Sequence, residues 1–491
     1  MNYRMIFNTI GKVAIILSVL LVIPAVLALS LGESSWWAIA TTVGISLVLG
    51  LILTFLLKPK SNVIYSKEGL IVVSLSWIYV SAIGALPFVI SGAIPNYIDA
   101  FFETCSGFST TGATILQGFE IEAMDKGLLF WRSFTHWIGG MGVIVFLMAF
   151  ETGSSDRGMH ILRAEMPGPI VDKIVPRARN TAKILYLLYI GFTVAEIVAL
   201  LIAGMPLFDS VVHSFGTAGT GGFGIKADSI ASYNAACQWI ITVFMILFGI
   251  NFNLYYLMLL RKFKSAFTSR ELWIFGGIIT VSTVAVALNI ANQFDFTSST
   301  HDTVRHALFQ VASFISTTGY STIPSTSSIN AFPLLSKGVL FLLMFIGGCA
   351  GSTGGGLKVS RVAILCCAVR KELRHVLHPR NANAVRFEGK NLSKETLHGV
   401  TSYFGVYMLI LAATFVVLCF DGGADISVES NITAAVSCIN NIGPAYGVAA
   451  SGYYMYNWLS KLVMSFAMLI GRLEIYPILL TLAPTTWIRN R

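Results

Sequence analysis

The sequence predicts an all-α polytopic membrane protein: an N-terminal two-helix hairpin, then four pseudo-symmetric repeats of span, re-entrant pore helix and span, ten spans in all. Three observations lead there. Charge is scarce, apolar runs of bilayer length recur, and one glycine-centred pattern returns four times. Of 491 residues, 55% are apolar and only 12% are charged, too few to cover a soluble protein of this size. The runs 13–31, 36–57, 70–90, 184–203 and 239–260 each exceed the roughly 18 residues that cross ~30 Å of hydrocarbon as a helix. Lipid offers no water to stray backbone amides, so such runs must be helical.

Charge placement gives the topology. The net charge is +9, and 26 of the 33 Lys and Arg fall in six segments: 1–12, 58–67, 151–183, 261–270, 358–395 and 488–491. These alternate with stretches almost free of basic residues, a record of orientation and not of nucleic-acid binding. Basic loops stay on the cytoplasmic side, so both termini are expected inside and the number of spans even. Arg4 and Lys12 before the first apolar run imitate a signal peptide, but a second full run follows at once, which favours a helical hairpin. The seven cysteines show neither paired nor metal-ligand spacing and read as packing residues.

After the hairpin the chain repeats itself. Gly112, Gly222, Gly319 and Gly443 stand at intervals of 110, 97 and 124 residues. Thirteen positions before each glycine stands a polar residue: Asp99, Asp209, His306 and Ser430. Two positions before come Thr110, Thr220, Thr317 and Asn441. The stretch between polar residue and glycine is too short to span, so it reads as a helix that enters the membrane and returns through the Gly/Thr turn. Non-helical backbone at that depth survives only when buried or lining a water-filled cavity. The expected units are a hairpin at 1–62 and repeats at 63–160, 161–262, 263–390 and 391–491.

The turn chemistry suits a dehydrated hard cation. Rings of backbone carbonyls offer partial negative charge without the full charge that would trap an ion. Inward-facing carbonyls require dihedrals that glycine tolerates, and helices entering from outside would aim their negative ends at the ion. A single Gly/Thr turn could simply allow close helix packing; four equivalent turns behind re-entrant stretches argue for a pore. A phosphate cradle is excluded, since no G-x-x-x-x-G-K-[ST] sequence occurs. Glu103, His213 and Gln310 share a repeat column and are expected to brace the short helices by hydrogen bonds, while His136 and Trp137 are expected to pack.

The segments Ser-Thr-Thr-Gly-Ala (109–113), Gly-Thr-Gly-Gly-Phe (219–223), Ser-Thr-Thr-Gly-Tyr (316–320) and Asn-Asn-Ile-Gly-Pro (440–444) resemble the selectivity-filter segments of the Trk/Ktr/HKT superfamily. The runs 131–142 and 347–358 resemble further family stretches, and the leading hairpin makes the chain most similar to the bacterial TrkH branch. The resemblance implies potassium uptake across the bacterial inner membrane, a homodimer with one pore per subunit, and a cytosolic TrkA-type nucleotide-binding regulatory ring. It implies no covalent cofactor, no enzymatic activity and no nucleic-acid partner; potassium is the substrate and the bilayer the surrounding medium. Thr110, Thr111, Gly112, Thr220, Gly221, Gly222, Thr317, Thr318, Gly319, Asn441, Ile442 and Gly443 would hold the ion. Gly112 in the first turn goes, within that family, with potassium over sodium. The fourth turn departs from the Thr-rich pattern, and Ile442 provides no side-chain oxygen.

Six glycines crowd 347–356, where they would break the second span of the third repeat. Gly347, Gly348, Gly351, Ser352, Thr353 and Gly354 are therefore read as an intramembrane gate below the filter, with a packing kink as the plainer alternative. Arg472 stands fourteen residues beyond Trp458, about 21 Å along a helix. An intramembrane cation there would raise the barrier to a passing ion and hydrogen-bond the broken backbone; pairing with Glu474 or snorkelling to the interface is the alternative. The basic loop 358–395 would bind anionic lipid or dock the cytosolic partner. A proton- or sodium-coupled symporter is the second functional reading, although the turns lack Asp and Glu. A membrane enzyme is the third, without a nucleophile–base constellation to support it.

Overall fold

The computed structural model describes residues 1–59, 66–142, 178–324, 329–378, 385–421, 423 and 426–487. Most of the basic segment 151–183, all of 488–491 and the unit boundaries expected at 62/63 and 160/161 lie outside the described residues.

The chain opens with two helices, Tyr3–Ser30 and Trp36–Leu56, packed as a hairpin. Small residues set their separation: a methyl on Gly11 would lie 3.0 Å from Gly50 O, and one on Gly50 would lie 2.9 Å from Gly11 O. Ser46 donates to Ala14 O at 2.9 Å across the same seam.

Four times thereafter a leading helix, a short helix, a glycine-centred turn and an inner helix follow in order. The leading helices are Ser66–Gly84, Ala178–Ile202, Arg270–Ile290 and Lys394–Cys419. The short helices are Tyr97–Phe108, Leu207–Gly219, Thr300–Ile315 and Val428–Asn440, and the inner helices are Lys126–Gly140, Ala235–Gly249, Leu334–Ile346 and Trp458–Arg472. Apolar side chains such as Leu187, Ile202, Val281, Leu288, Leu409 and Val416 are exposed on the leading helices, as bilayer contact requires. The short helices are buried along most of their length. Each carries an acidic residue in its first turn (Asp99, Asp209, Asp302, Glu429), where the helix dipole favours it.

Among the described residues, six helices are long and apolar enough to cross a bilayer. The run 239–260, expected as one span, is instead two helices, Ala235–Gly249 and Phe252–Leu259, bent by 89°. At the break, Gly249 O and Gly351 O bind amides across the two segments, from Cys349 N at 2.9 Å and Phe252 N at 3.0 Å. Asn251 starts the second piece by accepting from Asn253 N at 2.9 Å. An inner helix can break without a glycine cluster. The fourth breaks after Arg472, where Glu474 and Ile475 take φ of 57° and 69° before Tyr476–Leu482 resumes. The all-α expectation also misses a two-stranded antiparallel hairpin, Arg386–Phe387 with Lys390–Asn391.

Candidate functional site

The four glycine-centred turns adopt one backbone conformation. Thr110, Thr220, Thr317 and Asn441 all lie in the left-handed region, with φ of 57°, 55°, 59° and 54°. Two residues on, Gly112, Gly222, Gly319 and Gly443 have φ of 79°, 75°, 84° and 97°. The residue between donates its N–H five positions back, from Thr111 to Ser106 O, Gly221 to Gly216 O, Thr318 to Ser313 O and Ile442 to Ser437 O, at 2.9, 2.8, 2.9 and 3.1 Å. This is the 6→1 bond of a Schellman termination, here with Thr or Asn in the place usually taken by glycine.

The turns close into a ring. A methyl on Gly112 would fall 1.8 Å from Gly221 O, and one on Gly222 would fall 2.0 Å from Thr318 O. One on Gly319 would fall 2.2 Å from Ile442 O, and one on Gly443 would fall 2.6 Å from Thr111 O. Each glycine thus abuts the carbonyl that precedes the next glycine, in the order one, two, three, four and back to one. Ile442 has no side-chain oxygen, yet its carbonyl takes the same place in the ring as the other three. The fourth turn is also tied sideways: Asn441 Nδ2 donates to Thr111 Oγ1 at 3.0 Å and to Met468 O at 2.8 Å.

On one side of the ring lies a vestibule of about 480 Å³, lined by residues that follow all four glycines, among them Thr114, Gly224, Ser321 and Ala445. A separate and much smaller space of about 50 Å³ is lined by Gly351, Ser352, Gly354, Lys358 and Arg472. Part of its lining comes from the segment between Ile346 and Val359. Gly347 ends the inner helix at φ 75°, and the loop then rises against the ends of the third and fourth short helices. A methyl on Gly354 would meet Ser316 O at 2.9 Å, and one on Gly355 would meet Asn440 O at 2.3 Å. Gly355 N donates to Thr317 Oγ1 at 2.6 Å, joining loop and turn directly. Thr353 is bound to Phe248 O by its hydroxyl at 3.2 Å, and a methyl on Gly348 would meet Gly249 O at 3.2 Å.

Arg472 ends the fourth inner helix beneath the ring. Its Nη1 donates to Thr353 O at 2.7 Å, and its Nη2 donates to Gly139 O at 2.6 Å and Gly140 O at 2.8 Å. Glu474, the alternative partner, is held instead by Arg361 at 3.1 and 2.5 Å.

The TrkH family of cation transport proteins matches residues 37–487. The chain belongs to that family. It is 35% identical over 492 residues to the Trk system potassium uptake protein TrkH of Salmonella typhimurium, a match covering 99% of this chain and 100% of that one. The Trk system potassium uptake protein TrkG of Escherichia coli K12 is 31% identical over 494 residues, 99% of each chain. The crystal structure of the potassium transporter TrkH from Vibrio parahaemolyticus matches with a TM-score of 0.87 at 31% identity, covering 99% of this chain and 100% of that one. These relatives are named as transporters, and the chain is accordingly a multi-helix membrane protein of a transport family.

In this TrkH-family chain the glycine column is framed by side chains of two kinds. Glu103 accepts from Thr114 Oγ1 at 2.9 Å and Ile115 N at 3.0 Å, fixing the strand after the first glycine. Gln310 donates to Ser321 Oγ at 3.2 Å in the same manner, and His213 faces the hydroxyls of Tyr320 and Tyr233 at 3.4 and 3.3 Å. His136 is buried and stacks on Phe223 with ring centroids 4.1 Å apart, and Trp137 donates to Thr193 Oγ1 at 3.3 Å. Arg132 is the framing residue that sequence reasoning missed. It pairs with Glu103 at 2.7 Å, donates to Gly224 O at 2.9 Å and lies 3.6 Å over the Phe223 ring. Its signal was a lone cation inside the apolar stretch 127–142. Lys358 was also missed as a loop residue: it takes φ 74°, and its ammonium donates back to Gly354 O.

Proposed function

We propose that the chain carries potassium into the cell across the bacterial inner membrane, through a gated, channel-like central pore. The ten-span arrangement, with both termini cytoplasmic and unit boundaries at 62/63, 160/161, 262/263 and 390/391, belongs to this reading. The filter residues are Thr110, Thr111 and Gly112; Thr220, Gly221 and Gly222; Thr317, Thr318 and Gly319; and Asn441, Ile442 and Gly443. One observation carries it: the carbonyls of Thr111, Gly221, Thr318 and Ile442 succeed one another around a closed ring in which only glycine fits beside each. Such a ring replaces a hydration shell with partial charges and lets the ion leave again. The relatives' names support potassium as the ion.

The loop with Gly347, Gly348, Gly351, Ser352, Thr353 and Gly354 is the gate, and Arg472 locks it while placing positive charge on the ion's path. The contrast between a 480 Å³ vestibule and a 50 Å³ inner space supports a closed gate. Two such chains would form a homodimer, opened by a TrkA-type nucleotide-binding ring. The test is uptake of potassium, rubidium, sodium and lithium into proteoliposomes by the parent chain and by Gly112→Ser. The parent should prefer potassium and rubidium, at rates far above carrier turnover, and the variant should lose the preference because its side chain displaces Gly221 O. Unaltered selectivity in a folded variant would remove the filter assignment, and carrier-like rates would favour ion-coupled symport.

A further inference from the structure

Two carboxylates outside the ring link the gate loop to a distant hairpin. Glu271 is buried in the first turn of the leading helix Arg270–Ile290. Its Oε1 accepts from Ala350 N at 2.7 Å and from Ser360 N at 3.2 Å. Ala350 lies in the first half of the loop, and Ser360 in the first turn of the helix Val359–Leu377 that follows it. One oxygen therefore staples the entry of the loop to its exit, through charge-assisted bonds of the stronger kind.

Glu271 is itself held from outside. Its N–H donates to Glu388 Oε1 at 2.9 Å, and Ser269 Oγ donates to the same oxygen at 3.1 Å. The Glu271 N–H is one of the backbone donors that a helix N-terminus leaves without an intrahelical partner, and an acidic side chain satisfies it well. Glu388 forms the tip of the Arg386–Asn391 hairpin. Its φ is 49° and that of Gly389 is 73°, the paired left-handed residues of a tight two-residue turn. The adjacent Phe387 is buried with Ile364 and Val400, so the hairpin is anchored on the helices Val359–Leu377 and Lys394–Cys419. Glu388 is half-buried where Glu271 is buried, which makes the hairpin tip the accessible end of the chain of contacts.

We infer that Glu271 is a positioning residue for the gate loop and that the 386–391 hairpin is its handle. Withdrawal of the Glu388 carboxylate frees the helix N-terminus, Glu271 shifts, and the loop loses the staple across its ends. The inference rests on the loop being the gate, and the test separates the two. Hydrogen–deuterium exchange of the 347–360 segment and potassium uptake into proteoliposomes are measured for the parent, Glu271→Gln, Glu388→Gln and the double variant. Each single change should speed exchange of 347–360 about tenfold, the weight of one charge-assisted hydrogen bond. The double should exceed the larger single by no more than about twofold, because both act through one path. Exchange in the four short helices should stay as in the parent. Unchanged loop exchange in Glu388→Gln, or fully additive singles, overturns the inference. Faster loop exchange with unchanged uptake leaves it standing and removes the gate assignment. Should the Gln variants fail to fold, Glu388→Asp, with the charge kept but the reach shortened, must still loosen the loop for the inference to hold.

Discussion

Three threonines and an asparagine occupy left-handed backbone where glycine would be relaxed. Thr110, Thr220 and Thr317 are β-branched, and such a residue held in that region costs on the order of 1–3 kcal/mol. The side chain must therefore be wanted. For Thr317 the reason is visible, since its Oγ1 is the acceptor for Gly355 N at 2.6 Å. Thr317→Val should leave that buried amide without an acceptor, at a cost of about 1–3 kcal/mol. Thermal unfolding should register the loss, and Thr317→Ser, which keeps the hydroxyl, should recover most of it. Equal stability of the two variants would mean that the bond carries no weight. The column was legible although the glycines stand at unequal intervals, because a polar residue thirteen positions before and Thr or Asn two positions before recur with each of them. The conformation two residues earlier was not legible, because three of the four residues are Thr, whose β-branched side chain ordinarily avoids it. The bonds of Asn441 were equally hidden, because one partner, Thr111, comes from another unit of the chain and the other, the Met468 carbonyl, lies 27 positions away in the same unit.

Among the elements, the inner helices depart most from hydropathy. A window over 239–260 reports one apolar span, since hydropathy carries no information about where backbone bonds go. The 89° bend follows from amides and carbonyls exchanged with residues 349–353, more than 90 positions away. The glycine cluster at 347–356 was legible because six helix-breaking residues in ten leave little choice. Glu271 was not, as nothing in the sequence distinguishes it from any acid opening a helix. Arg472, at the end of the fourth inner helix, binds the loop through Thr353 O and the end of the first inner helix through Gly139 O and Gly140 O. Arg472→Ala should free the loop and raise potassium uptake at least about tenfold, since each bond to a charged group is worth about 1.5–3 kcal/mol. Arg472→Lys should not restore the parent rate, because a single ammonium lacks the planar fork that spans carbonyls on both sides. Restoration by lysine would reduce Arg472 to a point charge.

At the scale of the whole molecule, four units form a ring, yet each seam between neighbours is sewn with different chemistry. Units one and two are joined by Arg132, which is held by Glu103 of its own unit and donates across to Gly224 O. Tyr320 joins three to two by donating to His213 O at 3.0 Å. Asn330 exchanges two bonds with the backbone of Gly447 between three and four, at 2.9 and 2.8 Å. Lys461 closes four onto one through Asp99 at 2.8 Å. The seams differ in depth, and depth sets their weight. The side chains of Arg132 and Glu103 are 2% and 0% exposed, whereas those of Lys461 and Asp99 are 9% and 22% exposed. Breaking a buried pair strands a charge that water cannot reach, a loss of about 3–5 kcal/mol. A pair partly open to solvent contributes about 1 kcal/mol or less. Glu103→Gln should therefore lower the midpoint of thermal unfolding in detergent several times more than Lys461→Met. A ring fails at its weakest seam, so both variants should still unfold in one transition. Equal shifts, or a separate early transition confined to one unit, would show that the seams do not act in series around the ring.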